Sequence, residues 1–297
     1  MSNRNNEDRL SAKHANSDPP ILPILENNDN NDNNDNNPNK PVFNFSTPTE
    51  FVELPSKGKY YPENHPLHNE EFIEIRYMTA KDEDILSSKA LLKKGVAIDR
   101  MLANIIINNN IKVQDLLTGD KNALVVAARV TGYGDKYETK VTCPVCGNTN
   151  EHEFNLSDAK TIDGDDHGKF IIINNNNGTF TTKLVKSDYE ITFRLLSGAD
   201  EQKLVHLATQ QKKARTGIEN TNTTQLKLCI VGIDGETSPK IINDFVNSMP
   251  AIDARYLRDA MKKVTPNIDL TQEFYCHNCD FEGNMEVPFT TDFFWPK

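Results

Sequence analysis

The sequence predicts an α+β fold: a small helical unit plus a four-cysteine zinc ribbon split by an inserted α/β subdomain, with a disordered N-terminal tail. Three observations predict it. Two C-x-x-C pairs, Cys143-Pro-Val-Cys146 and Cys276-His-Asn-Cys279, lie far apart but share a strand, turn and strand context. Three short amphipathic patterns fall between residues 79 and 134, and the first 47 residues are dominated by asparagine. The expected division is a tail over 1–47, a β arm and helical unit over 48–134, and the first half of the ribbon over 135–156. An inserted α+β subdomain follows over 157–269, then the second half of the ribbon and an aromatic tail over 270–297.

The tail comes first. From Asn27 to Asn37 there is almost nothing apolar, so the segment cannot bury enough surface to offset the entropy of ordering it. The cluster Ile21-Leu22-Pro23-Ile24-Leu25 is the one short docking-like stretch in it. Beyond the tail, Phe51 to Pro62 reads as extended because of its prolines, and Glu71 to Met78 alternates as a half-buried strand does. Thr79 is suited to cap a helix with Asp82, Glu83 and Asp84 in its first turn. Gly95 ends that helix, Asp99 is expected to cap a second and Asp120 a third, which runs to Gly132-Tyr-Gly134.

Strands Lys136 to Thr142 and Glu151 to Leu156 flank the first cysteine pair. The insertion opens with strands over 169–173, 180–185 and 189–195, with Asn177-Gly178 as a turn signal. An amphipathic helix follows over 199–214 and a buried stretch over 225–231. Ser238-Pro239 and Pro250 begin two more helices. The chain returns through 272–275 to the second pair and leaves along 284–289. No internal repeat is legible apart from the two knuckles.

The cysteine pairs read as halves of one closed zinc site, because four thiolates at about 2.3 Å from the metal require two facing knuckles. Pro144 presets φ and Gly147 can adopt positive φ; Asp280 stands at the matching place in the second turn. Redox chemistry wants the first thiolate at a helix start, whereas a strand follows Cys146. Disulfides need an oxidising compartment, and Met1-Ser-Asn-Arg-Asn-Asn6 has no signal-peptide core. Cys229, within Leu226 to Val231, reads as a small buried hydrophobe.

Composition narrows the function classes. The chain of 297 residues is 37% hydrophobic, enough for real cores. No apolar run approaches the roughly 18 residues of a membrane span. A net charge of −10 and a pI near 5.2 work against phosphate backbones, and the lysines are scattered. Phosphate-loop, dinucleotide and nucleophile-elbow patterns are absent. His152-Glu153 lacks the second histidine of a zinc protease, since Leu156 stands there. Asp163 to Gly168 begins like a calcium loop but has Asn174 where a bidentate glutamate belongs. The expectation is therefore no enzyme and no small-molecule substrate.

Several runs together resemble the baseplate protein family of T-even-like contractile-tailed bacteriophages. They are Glu53-Leu-Pro-Ser-Lys-Gly-Lys-Tyr-Tyr-Pro62, Thr79-Ala-Lys-Asp-Glu-Asp-Ile-Leu86 and Cys143-Pro-Val-Cys-Gly147. Met249 to Arg255, Pro266 to Phe274, the second pair and Phe293-Phe-Trp-Pro296 continue the resemblance. It covers about residues 48 to 297 and leaves out the asparagine-rich tail; Asp280 departs from the usual glycine. The resemblance implies a structural or assembly role in the central hub of the tail baseplate, in the host cytoplasm during assembly or in the virion tail. The implied partners are other hub and tail proteins.

The expected site residues are Cys143, Cys146, Cys276 and Cys279 for one structural zinc. For partner contacts they are Leu54, Tyr60 and Tyr61 in the arm and Phe293, Phe294 and Trp295 at the end, with self-packing of that end as the competing reading. The alternative function is a zinc-ribbon nucleic-acid-binding module, for which Lys136 and Lys140 are few beside Glu138, Glu151 and Glu153.

Overall fold

Val52, Ile73 and Ile75 alternate with more exposed neighbours, and this alternation folds as a hairpin of β1 (Thr49–Glu53) and β2 (Phe72–Arg76). The structure is a computed structural model that describes residues 46–213, 221–288 and 291–294. The tail expected over 1–47 lies outside these residues except for its last two.

After β2 the chain turns into α1 (Ala80–Ser87), α2 (Lys89–Lys94) and α3 (Ala97–Ile105). Thr79 caps α1 as expected, with Asp82 accepting from both its backbone N–H and its hydroxyl. The single helix expected from Thr79 to Gly95 is two, broken at Ser88, whose backbone is extended, and Gly95, at φ 70°, ends α2 in the left-handed conformation. Asp99 and Asp120 correct the sequence reading. Neither is an N-cap; each is the third residue of its helix, α3 and α4 (Thr118–Tyr133), and each is buried. Asp99 meets Lys121 at 2.8 Å. Asp120 accepts from the Ser56 N–H, the Ser56 hydroxyl and the Tyr61 hydroxyl at 2.9, 2.6 and 2.7 Å.

β3 (Lys136–Thr142) and β4 (Thr149–Asn155) form the first cysteine hairpin, and β5 (Lys160–Ile162) follows. A four-stranded antiparallel sheet is built in the order β6 (Ile172–Asn174), β7 (Thr179–Lys183), β8 (Glu190–Arg194), β9 (Ile230–Ile233). α5 (Gly198–Lys213) and α6 (Thr221–Cys229) lie between β8 and β9 in sequence. The buried stretch expected over 225–231 thus divides: Leu226 and Cys229 close a helix, and Ile230 opens a strand. α7 (Pro239–Ser248) and α8 (Ala251–Val264) lead to β10 (Asn267–Asp269), which pairs with β5, and to the second cysteine hairpin, β11 (Thr271–Tyr275) and β12 (Glu282–Glu286).

Burial falls into two clusters. The first joins β1 to β4 and their helices with Phe274, Cys276, Val287, Phe293 and Phe294. The second joins the four-stranded sheet with α6 to α8 and takes Tyr60 from the β1–β2 loop.

The same order of elements and contacts occurs twice, which the sequence reading missed. Arg76, at the end of β2, donates to the Tyr77 carbonyl and forks onto Asp82 at 2.7 and 3.1 Å. Arg194, at the end of β8, donates to the Leu195 carbonyl and forks onto Asp200 at 2.6 and 3.0 Å. Ser197 donates its N–H and hydroxyl to Asp200 as Thr79 does to Asp82. α3 leads into Ile106, which bridges to Ile75, and α6 leads into β9, which pairs with β8. Asp253, third in α8, accepts the N–H groups of Lys186 and Ser187 in the β7–β8 loop, as Asp120 accepts that of Ser56 in the β1–β2 loop. The separation from Asp120 to Cys143 equals that from Asp253 to Cys276. Only a few polar positions are shared, and the β1–β2 loop is much longer than its counterpart, so the repetition is hidden in the sequence.

Candidate metal centre

Each cysteine pair sits on the turn of a hairpin whose register puts the two sulfurs on one side. In the first, Gly147 at φ 71° donates its N–H to the Cys143 carbonyl at 3.0 Å, and the Cys143 N–H meets the Asn148 carbonyl at 2.9 Å. In the second, Asp280 at φ 54° donates to the Cys276 carbonyl at 3.0 Å, and the Cys276 N–H meets the Phe281 carbonyl at 2.9 Å. The two turns have the same bonds despite glycine in one and aspartate in the other. Asp280 tolerates positive φ as aspartate often does, and its carboxylate is held by the Tyr275 hydroxyl at 2.6 Å.

The hairpins face one another. All four sulfurs lie within 4.8 Å of each other, and the cross-hairpin pairs Cys143–Cys279 and Cys146–Cys276 are each 3.7 Å apart. A sulfur–sulfur bond would be about 2.0 Å, so these are not disulfides. A tetrahedron with arms of about 2.3 Å has edges of about 3.8 Å. The four cysteines are therefore spaced to hold one metal ion. The Asn150 amide, 3.5 Å from the Cys276 sulfur, and Asn278, donating to Asn150 at 3.2 Å, tie the turns together around it. Sequence reasoning did not single out these two asparagines.

The sulfurs differ electrostatically. Burial disfavours the Cys276 thiolate, but the N–H groups of Asn278 and Cys279 and the neighbouring thiols outweigh it and bring the thiol down to about 6. Burial pushes the Cys279 thiol up to about 12, and the other three cysteines add to the rise. Four thiols this close cannot all ionise without a cation among them, the electrostatic condition of a metal site. Cys229 stands apart, buried, with its thiol also pushed up to about 12 by burial.

A family model described as T4 bacteriophage base plate protein matches residues 47–295. The chain belongs to this family. Comparison with curated proteins and with solved structures finds no match. Membership in the base plate family ties the chain to the phage tail and to interaction with other tail proteins. Among the described residues no helix is long and apolar enough to cross a membrane.

The residues expected as partner contacts of this base plate protein lie largely inside it. Leu54, Tyr60 and Tyr61 are buried. Tyr61 donates to Asp120 and accepts from the Leu117 N–H at 3.0 Å, and Tyr60 packs on Phe180 with ring centres 5.4 Å apart. Phe293 and Phe294 are buried too, with Phe293 edge-on to Tyr137 at 5.1 Å. The Phe293 carbonyl accepts from Arg129 at 2.6 Å, and the same guanidinium donates to the carbonyls of Gly134 and Lys136. Trp295 lies outside the described residues. The exposed aromatics of the arm are Phe51 and Phe72, which the sequence reading did not select.

Proposed function

We propose that this base plate protein is a non-enzymatic structural or assembly component of the baseplate hub, fastened by one structural zinc on Cys143, Cys146, Cys276 and Cys279. The observation that carries the zinc reading is the 3.7 Å sulfur spacing across the two hairpins. An all-thiolate tetrahedron suits zinc and leaves no coordination position for a reacting water, so the ion's contribution is to stability and not to catalysis. The family supports the assembly role. Lys136 and Lys140 are engaged by Glu153 and Glu151 at 3.1 and 3.8 Å, which leaves little basic surface beside the ribbon for a nucleic acid.

Assembly takes place in the host cytoplasm on this reading. The burial of Leu54, Tyr60 and Tyr61 supports a core role for them and favours exposed side chains as the recognition surface. Co-expression with the other hub and tail proteins, followed by affinity purification, tests the proposal. Stable association with a hub subunit is the expected result, and failure to associate with any tail component overturns it.

A further inference from the structure

The strand hairpins of the two halves present different outer faces. Side chains alternate across a strand, so Val52, Ile73 and Ile75 face the core while Phe51, Glu53, Phe72 and Glu74 face outward. Phe51 lies opposite Glu74 and Phe72 opposite Glu53, which makes the two rings diagonal neighbours. Phe51 is 70% exposed and Phe72 50%. Ile107, whose N–H meets the Glu74 carbonyl at 3.2 Å, is 44% exposed and extends the face beyond β2. Glu70 and Glu71 are exposed just before β2. Among the described residues none of these four carboxylates meets a cation, and Arg76 of the same strand is held by Asp82.

In the second half, Arg194 aligns β8 with β2, and the strand register then aligns β7 with β1. Thr181 stands for Phe51, Lys183 for Glu53, Glu190 for Phe72 and Thr192 for Glu74. That face satisfies itself. The Thr181 and Thr192 hydroxyls are 3.2 Å apart, Asn175 donates to Thr181 at 2.9 Å, and Lys183 meets Asp188 at 3.0 Å. The hairpin thus folds without outward rings or unpaired glutamates, and folding does not account for them in the first half.

Exposed rings rimmed by carboxylates complement a surface that carries arginine. A guanidinium lies flat on a phenylalanine ring while its N–H groups reach a carboxylate beside it. Phosphate is repelled by the same negative field, which disfavours nucleic acid. Charge also disfavours the chain's own tail and a second copy as occupant: residues 1–45 hold seven acidic and four basic side chains, and the whole chain has a net charge of −10. We infer that the outer face of β1 and β2 is a docking surface for an arginine-bearing face of another protein, with its guanidinium groups over Phe51 and Phe72 and paired to Glu53 and Glu74. The inference deepens the assembly reading and rests on it for the partner being a tail protein.

The probe is a labelled peptide, Gly-Arg-Phe-Arg-Leu-Arg-Gly, titrated into the full chain, with Gly-Glu-Phe-Glu-Leu-Glu-Gly as its charge reverse. The arginine peptide is expected to slow amide exchange across 49–53 and 72–76 and to bind more weakly as salt is raised. Its affinity is expected to fall at least about tenfold in Phe51→Ser/Phe72→Ser and in Glu53→Lys/Glu74→Lys. Ile241→Ser/Ile252→Ser, which removes exposed apolar side chains of the second half, should leave it unchanged. The altered side chains lie outside the core, so each variant keeps the fold, which its melting temperature verifies. No slowing at 49–53 and 72–76 overturns the inference, as does affinity unchanged in both face variants or equal binding of the glutamate peptide. Binding that appears only after removal of residues 1–45 assigns the face to the N-terminal segment, and self-association lost in the face variants assigns it to a second copy; either result overturns the inference. In co-expression with the tail proteins, both face variants are expected to release the partner. A tail protein retained equally by parent and face variants overturns the inference and keeps the assembly reading, whereas peptide binding as expected with no tail protein associated keeps the face and loses that reading.

Discussion

Asp120 and Asp253 hold the same position in the two halves of this protein. Each is fully buried as the third residue of the helix that leads towards a cysteine hairpin, and from the loop of the strand hairpin before it Asp120 accepts one backbone N–H and Asp253 two. Asp82 and Asp200 form the second matched pair, each gripped by an arginine at the end of a strand. These four carboxylates join loops to helices where apolar contact alone would not fix the register.

Removing an arginine from a clamp leaves a buried carboxylate without its forked partner, and for Asp200 only Lys203, at 3.8 Å, remains as a counter-charge. Arg76→Ala and Arg194→Ala are each expected to lower unfolding stability by about 3–5 kcal/mol, with much smaller further loss when Asp82 or Asp200 is also replaced by alanine. Urea unfolding of the single and double variants measures this. Single-variant losses within about 0.5 kcal/mol, the usual range of a surface substitution, would show the clamps to be decorative.

The clamps also set an acid limb. Burial opposes ionisation of Asp82 and Asp200, but the arginines and cap donors outweigh it and hold both below the usual carboxylate value. Their contribution is present above the unfolded pKa of about 3.9 and disappears as pH falls through the folded values. Asp120 has the opposite sign: burial raises it despite the donors from Ser56 and Tyr61. Its contribution is full below the unfolded pKa and declines as pH rises through the folded value. Melting temperature against pH should therefore drop below about pH 4 in the parent chain. Asp120→Asn should gain on the parent as pH rises above that point, and parallel curves for the two would contradict the assignment.

Gly119 and Ile252 are counterparts that tolerate change differently. A Cβ on Gly119 would lie 1.9 Å from the Pro266 carbonyl oxygen, whereas Ile252 is largely exposed. Gly119→Ala is expected to destabilise by about 1–3 kcal/mol or more through overpacking, and Ile252→Ala by less than about 0.5 kcal/mol. Thermal unfolding of both variants decides the matter, and equal effects would disprove the close approach at Pro266.

Metal analysis of the purified protein should find about one zinc per chain, since one closed site uses all four thiolates. Cys146→Ser and Cys279→Ser should each lose the ion and melt earlier, and a chelator should do the same to the parent. A metal-free protein whose melting is indifferent to chelator would remove zinc from the account.

Deleting Phe293 to Lys297 takes two buried rings from the first cluster and an acceptor from the buried Arg129 guanidinium. The shortened chain should lose several kcal/mol of stability in isolation, because aromatic truncation in a core costs about 3–5 kcal/mol per ring. An unchanged melting temperature with failed hub assembly would instead mark this end as a partner anchor.

The cysteine site was legible before folding because its signal is local: two residues at fixed spacing, a turn residue able to take positive φ, and strands on either side. The helices were legible for a similar reason, through apolar spacing and through Gly95 and Pro239. Asp99 and Asp120 misled because aspartate is equally common at a cap and in the first turn. What decides between them is whether a distant donor, Lys121 or Ser56, arrives to meet the carboxylate. Tyr60 and Tyr61 looked like surface aromatics because nothing near them in sequence reveals that Phe180 and Asp120 are their neighbours.

The sequence by itself determined the mixed α+β composition, the four cysteines of the candidate metal site, most element positions and the likeness to the base plate family. All of these rest on short-range chemistry or on motifs read in order. Only the tertiary structure decided that the two cysteine hairpins face each other at 3.7 Å, that Tyr60 and Tyr61 of the arm are core, and that one set of contacts occurs twice. The first two depend on residues more than fifty positions apart coming within hydrogen-bond or van der Waals distance, and side-chain type alone does not encode which distant partner that will be.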